Sequence, residues 1–321
     1  MMLRPLLCLS VLCGACQAGE TPAAPLRWRK AAEIENAERV FPSAVDTNTV
    51  FLWTRGGLYA SKDNGVSFAA RGKDLPAQLG TLTALVVNPV RPATLFAGTL
   101  DKGAFVSEDE GAAWRALGGV DKGLANLRMY ALVFSADDPT FTTLFATHSP
   151  QRPGISMTID GGKTWRAFAP GFGAGDLLLR GTTMFFSGAR PAGGPEMGFY
   201  RSIDAGKNWY RILNVEAPTV LAGSRVNLRR AWCGTQSGLF VTDDFGVSTR
   251  AVGPQTGMNI VSIAAGYGPD ATELVHVYDP NTEGALVSTD GFKTWQKQNE
   301  GLYVGDWVAE GPQVTAEVSC N

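Results

Sequence analysis

Apolar positions in this chain come in short runs, among them Leu58-Tyr59-Ala60, Thr83 to Val87, Thr94 to Gly98, Ala104-Phe105-Val106, Tyr130 to Phe134 and Thr143 to Ala146. The runs are rich in aromatic and branched residues and are separated by turn formers, which reads as many strands joined by many turns. Glycine reaches 38 residues and proline 18, enough to punctuate such a chain throughout.

The strands fall into a repeat. The pattern Ser/Thr-x-Asp-x-Gly-x-x-aromatic recurs at Ser61 to Phe68, Ser107 to Trp114, Thr158 to Trp165 and Ser202 to Trp209. Two further copies are degenerate: Thr242 to Thr249 lacks the final aromatic, and Ser288 to Trp295 has Phe292 where glycine is expected. Their starts lie 46, 51, 44, 40 and 46 residues apart, the span of one four-stranded propeller blade. A glycine stands four residues before every copy, at Gly57, Gly103, Gly154, Gly198, Gly238 and Gly284. Each copy is placed at the turn between the third and fourth strands of its blade, where an aspartate accepts turn N–H groups and glycine tolerates positive φ. The acids Asp63, Asp109, Asp160, Asp204, Asp244 and Asp290 occur once per blade and are therefore expected to build turns, not to catalyse or bind calcium.

Beyond the sixth copy, Trp307 to Glu310 and Val314 to Ser319 look like two more strands, and Leu26 to Ala31 resembles the segments that follow the boxes at Trp114 and Trp165. The pattern predicts an all-β fold, a single β-propeller over residues 22–321. Seven blades are expected, the last closed by pairing of the N- and C-terminal strands, with six as the alternative.

Composition narrows the partners. Lysine and arginine number 28 against 30 acidic residues, a net charge of −2 with no basic run, so nucleic acid is not expected. Residues 1–18 read as a signal peptide, with Arg4 before an apolar stretch from Leu6 to Leu12 and small residues after it. Gly14-Ala15-Cys16 resembles a bacterial lipobox, which leaves two routes: lipidation at Cys16 or plain cleavage after Ala18. No later segment has the length of a membrane span, so the expected location is the periplasm, a lipoprotein anchor or the cell exterior. Either route leaves Cys233 and Cys320 in the folded domain. They form either a disulfide closing an 87-residue loop, worth roughly 4 to 5 kcal/mol by chain entropy, or two buried thiols.

The six copies resemble those of the Asp-box (BNR) propeller superfamily, which includes sialidases, xyloglucan-cleaving glycosidases, sortilin-type receptors and photosystem II stability and assembly factors. The resemblance covers nearly the whole mature chain. Regular boxes on one short exported chain look most like the assembly-factor branch, which implies a non-enzymatic module that binds a protein partner. The alternative is a sialidase-like or other glycoside hydrolase, or a glycan-binding propeller. The sialidase motifs do not carry over, since Arg39-Val-Phe-Pro42 has one residue too many between arginine and proline and no arginine triad is assignable. His148 and His276 lie in separate blades without ligands at metal spacing, so neither a metal nor another cofactor is expected.

If the boxes lie on one face, the opposite face is formed by the turns between second and third strands and by the blade-to-blade connections, where functional residues gather. The candidate binding residues there are Arg55, Lys102, His148, Arg152, Arg190, Glu196 and Tyr278, with Tyr303 and Asp306 from a connection. Their mixed charge and aromatics suit a protein or glycan of the cell envelope.

Overall fold

A computed structural model describes residues 28–30, 34, 37–298 and 316–318, apart from positions 44, 47, 136, 149–153, 173–174, 192–194, 216, 254–257, 268–272 and 281–283. Six antiparallel sheets of four consecutive strands follow one another in chain order. Blade one is Ala37–Pro42, Val50–Thr54, Gly57–Ser61 and Ala69–Arg71, and blade two Leu82–Val87, Leu95–Thr99, Ala104–Ser107 and Arg115–Ala116. Blade three is Met129–Phe134, Leu144–His148, Gly154–Thr158 and Arg166–Pro170, and blade four Gly175–Arg180, Thr183–Pro191, Pro195–Ser202 and Tyr210–Leu213. Blade five is Pro218–Gly223, Ala231–Thr235, Gly238–Thr242 and Arg250–Ala251, and blade six Ser262–Tyr267, Glu273–Asp279, Gly284–Ser288 and Gln296–Lys297. The first strands of successive blades lie side by side, which makes them the inner strands of a β-propeller.

The expected seventh blade is overturned. Trp28–Lys30 pairs antiparallel with Ala316–Val318, but the two make a separate two-stranded sheet. A blade here takes four strands drawn from one continuous segment, and the chain ends contribute one described strand each. The expected strand at Trp307 to Glu310 lies outside the described residues.

Burial follows strand position. The second strands of blades one, two, three and five are buried at every residue, because neighbouring blades cover both of their faces. The fourth strands of blades two, five and six are two residues long and exposed, so the outer edges are short and carry charge, which discourages pairing with other chains. The core is accordingly a series of seams. Phe51, Trp53 and Leu58 of blade one pack with Leu82, Leu95, Phe105 and Trp114 of blade two, closed by Leu75 and Leu79 of the short connecting helix Leu75–Leu79.

Candidate functional site

The predicted turns share one geometry. In the first, the Ser61 hydroxyl donates to Asp63 Oδ1 (2.7 Å) and accepts the Gly65 N–H (2.8 Å), while Asp63 Oδ1 also accepts the Ser67 N–H (2.9 Å). The same three bonds recur around Asp109, Asp160, Asp204 and Asp244. Gly65, Gly111, Gly162, Gly206 and Gly246 have φ between 81° and 90°, and in the sixth turn Phe292 itself takes φ 73°.

These donors set the charge state. Asp63, Asp160, Asp204, Asp244 and Asp290 are held at about 2, and Asp109 is lowered too. For Asp63 and Asp290 the hydroxyl of Ser67 or Thr294 does most, and for Asp204 and Asp109 the backbone N–H of Asn208 or Ala113. At Asp160 and Asp244 partial burial is the largest single influence and pushes upward, but the combined donors outweigh it. A carboxylate so engaged is a poor proton carrier, and the geometry makes these acids the frame of their turns.

The antiparallel order puts the second-to-third-strand turns on the opposite face, where a second motif repeats. Thr54, Thr99 and Thr235 end their strands, and each hydroxyl donates to the carbonyl of Gly57, Gly103 or Gly238 (3.2, 2.9 and 2.8 Å) while accepting an N–H of its own turn. Those glycines have φ 138°, 82° and 131°, which accounts for the glycine standing four residues before the box. Sequence reasoning found the glycines and missed the threonines, although Thr-x-x-Gly precedes the first and fifth boxes.

At the inner edge of this face, the pairing of the inner strand shifts register between Ala37 and Arg39, Leu82 and Ala84, Met129 and Ala131, and Pro218 and Val220. Four of the six inner strands thus carry a bulge at the same end, at the mouth of the propeller axis, and a bulge re-aims the side chains beside it. Arg55 reaches from its turn to the bulged Glu38, Nε to Oε1 at 3.3 Å. Thr83 Oγ1, also at a bulge, is buried without a hydrogen-bond partner, as is Asn259 Oδ1 on the connection entering blade six.

The predicted binding residues therefore have different fates. Arg55 and Lys102 lie on this face, and Lys102 Nζ also donates to the Ala77 carbonyl (2.5 Å) at the short helix. Arg190 and Glu196 face each other in the register of the blade-four hairpin. Tyr278 is half-buried, and burial followed by the Asp279 charge raises its hydroxyl above the ordinary value. His148 is fully buried, with Nε2 2.8 Å from Ser156 Oγ, so it is not a surface contact residue. Burial lowers it to about 4 against the opposing backbone of Asn126 and Arg128. Arg152, Tyr303 and Asp306 lie outside the described residues, as do Cys16 and Cys320. Cys233 is fully buried in blade five, and burial, then the charge of Asp176, drives its thiol far upward.

Asp176 was not anticipated. It is enclosed at the seam of blades four and five, where its two oxygens accept the N–H groups of Leu177 and Leu221 (3.0 Å each). Burial raises its pKa against those two donors. Among the described residues no cluster of His, Cys, Asp and Glu could hold a metal ion.

The sequence matches no protein-family model and no curated protein. Solved structures of the same fold are numerous. An ancestral GH74 enzyme superposes with TM-score 0.61 at 15% identity over 85% of this chain, which spans only 40% of the enzyme. YCF48 from Cyanidioschyzon merolae superposes with TM-score 0.58 at 14% identity, covering 87% of this chain and 90% of YCF48, and a second YCF48 structure holds a D1 peptide. The extracellular domain of a putative hybrid two component system from B. thetaiotaomicron gives TM-score 0.61 at 10% identity, with 81% of this chain and 35% of that one covered. At these identities the likeness shows the fold, a β-propeller.

Proposed function

We propose that this chain is an exported, non-enzymatic propeller that binds a segment of a partner protein on the face opposite the Asp boxes, across the mouth of the axis. The observation that carries the reading is the set of bulges at one end of the inner strands, with Glu38 paired to Arg55 and the Thr83 hydroxyl buried without a partner. Such a mouth offers fixed polar groups on a rigid ring, the setting in which scaffold-held loops recognise ligands. Arg55, Lys102, Arg190, Glu196 and Tyr278 are the proposed contacts. That a protein of this fold and nearly this length, YCF48, has been solved with a peptide bound adds support, as does the occurrence of the fold in extracellular domains. On this reading residues 1–18 serve as the export leader, processed either by lipidation at Cys16 or by cleavage after Ala18.

The rival reading, a glycoside hydrolase, needs two carboxyl groups flanking a bond, about 5 to 9 Å apart, with one kept protonated. Glu38 is engaged by Arg55, and Asp176 is enclosed by two backbone amides, so neither is presented as a member of such a pair. The test is site-specific photocrosslinking in the source cell envelope, from Arg55 and Lys102 on one face and from Lys163 on the other. One protein crosslinked from the first two positions and not from the third supports the reading. Turnover of an envelope glycan, lost on changing Glu38 or Asp176 in a folded variant, overturns it.

A further inference from the structure

On the box face, the turn joining the first two strands of blade five reads Ser224-Arg225-Val226-Asn227-Leu228-Arg229-Arg230. Val226 and Leu228 are 50% and 64% exposed, and Arg225 and Arg229 beside them are exposed as well. Much of the backbone beneath them is engaged. Ser224 Oγ accepts the N–H of Val226 (3.2 Å) and of Asn227 (2.8 Å), Asn227 Oδ1 accepts that of Arg229 (3.0 Å), and Phe245 donates to the Arg229 carbonyl (3.0 Å). Apolar side chains are thus held in water on a turn braced by its own Ser and Asn side chains, an arrangement that marks interaction surfaces.

The surface continues into blade four. Arg180 Nη2 donates to the Ser224 carbonyl (3.2 Å) and Arg201 Nη1 to the Phe245 carbonyl (3.1 Å). Tyr210, register partner of Arg201, is 56% exposed, and Val247 in the fifth box turn is 73% exposed. The carboxylates nearby are committed: Asp204 and Asp244 to their turns, Asp243 to Arg230 and Arg250, and Glu273 to Arg230. Among the described residues Arg225 and Arg229 have no ion-pair partner, and Arg225 weakens proton binding by Arg180 after burial has done so. The corresponding turns of blades one and three carry Asp46 and Asp138 instead. The corresponding blade-two turn carries a single arginine, Arg91, whereas this turn sets its two arginines without ion-pair partners beside exposed aliphatic side chains, on a chain whose net charge is −2.

We propose that this sector of the box face, built from Arg225, Val226, Leu228, Arg229, Tyr210 and Val247, docks a polypeptide segment that carries apolar side chains flanked by carboxylates. The arginines select the carboxylates and steer their approach, and the aliphatic side chains between them bury the apolar ones. An anionic membrane fits less well, since it would bring Asp46 and Asp138 of the same face against like charge. The surface lies on the face opposite the axial mouth, so it stands or falls independently of the function proposed above.

The test is fluorescence anisotropy of the full chain with a short labelled peptide whose central leucine and valine residues are flanked by glutamates, alongside the same peptide with lysines in their place. Binding to the glutamate peptide is expected in the micromolar range, weakening with added salt. It falls by about tenfold or more in Arg225→Glu and Arg229→Glu, and by several-fold in Leu228→Ser, while Arg55→Ala and Lys102→Ala bind as the parent does. Thermal melts of all variants check folding, and these exposed positions are expected to leave the melt unchanged. Equal binding of the two peptides, indifference to Arg225→Glu and Arg229→Glu, or binding that survives Leu228→Ser and is displaced by phosphatidylglycerol vesicles would overturn the proposal. So would self-association of the chain that is abolished by the same substitutions without peptide binding.

Discussion

Gly111, in the box turn of blade two, lies against Leu58 of blade one so closely that an added Cβ would come within 2.7 Å of Leu58 Cδ2. The glycine also has φ 90°, so a side chain there meets both backbone strain and a packed neighbour. Gly111→Ala is expected to cost about 2 to 4 kcal/mol in chemical denaturation. Gly161→Ala is the control: φ is 71° but nothing lies within 4 Å, so only the backbone cost of about 1 to 2 kcal/mol is expected. Equal losses at the two sites would show that packing against Leu58 contributes nothing.

Acid unfolding is expected in two stages. His148 and His276, lowered to about 4 chiefly by burial, bind fewer protons folded than unfolded. Stability should therefore fall as pH drops from the ordinary histidine value of 6.5 through 4. The box aspartates, held at about 2 against an ordinary 3.8, stabilise the fold above that ordinary value and lose the contribution as pH falls through 2. Melting temperatures from pH 7 to pH 2 should show both limbs. The upper limb should shrink in the His148→Gln and His276→Gln double variant, and the lower one in Asp63→Asn with Asp204→Asn.

Asp176 should behave in the opposite sense. Its folded pKa is raised, so the native state holds the proton more tightly and stability falls as pH rises above the ordinary carboxyl value. Asp176→Asn removes that titration, and its stability relative to the parent should improve steadily with pH. Asp176→Ala also removes the titration but leaves the Leu221 N–H buried without an acceptor, so it should be less stable than Asp176→Asn by about 1 to 3 kcal/mol at every pH. A parent and Asp176→Asn pair with parallel pH profiles would contradict the assignment.

The thiol of Cys233 should be inert in the folded, reduced protein. After mild reduction, alkylation with iodoacetamide and peptide mapping should leave Cys233 unmodified until denaturant is added, because it is fully buried and its thiolate is strongly disfavoured.

Local chemistry was legible in the sequence wherever one short segment contains its own explanation. The aspartates and glycines of the boxes do, since the bonds around Asp63 run no farther than Ser67. Blade number was not, because Ala316–Val318 has the strand pattern of an inner strand and only its pairing shows that it meets Trp28–Lys30 alone. His148 looked like the start of a loop, yet it ends its strand where Thr54 and Thr235 end theirs, and the connection at Asn126 and Arg128 covers it. Asp176 accepts across blades from Leu221, and Arg180 donates across blades to the Ser224 carbonyl that opens the blade-five turn, separations that no repeat spacing records. The blade-five turn lies on the box face, away from the turns expected to bind, and it is held open by the Ser224 and Asn227 caps.

The close contact of Gly111 with Leu58 recurs with a direction. Gly162 meets Leu117, Gly206 meets Phe168, and Gly246 meets Ile212 and Phe185, in each case a residue that precedes it in the chain and belongs to the blade before or the segment leaving it. During synthesis from the N-terminus, each blade would therefore emerge to find its docking surface already made. Assembly by accretion of this kind keeps most pairing local and favours rapid growth from the first blade. Damage to an early box would be inherited by every blade added after it, whereas the same change in the last box would strand only the blade that carries it.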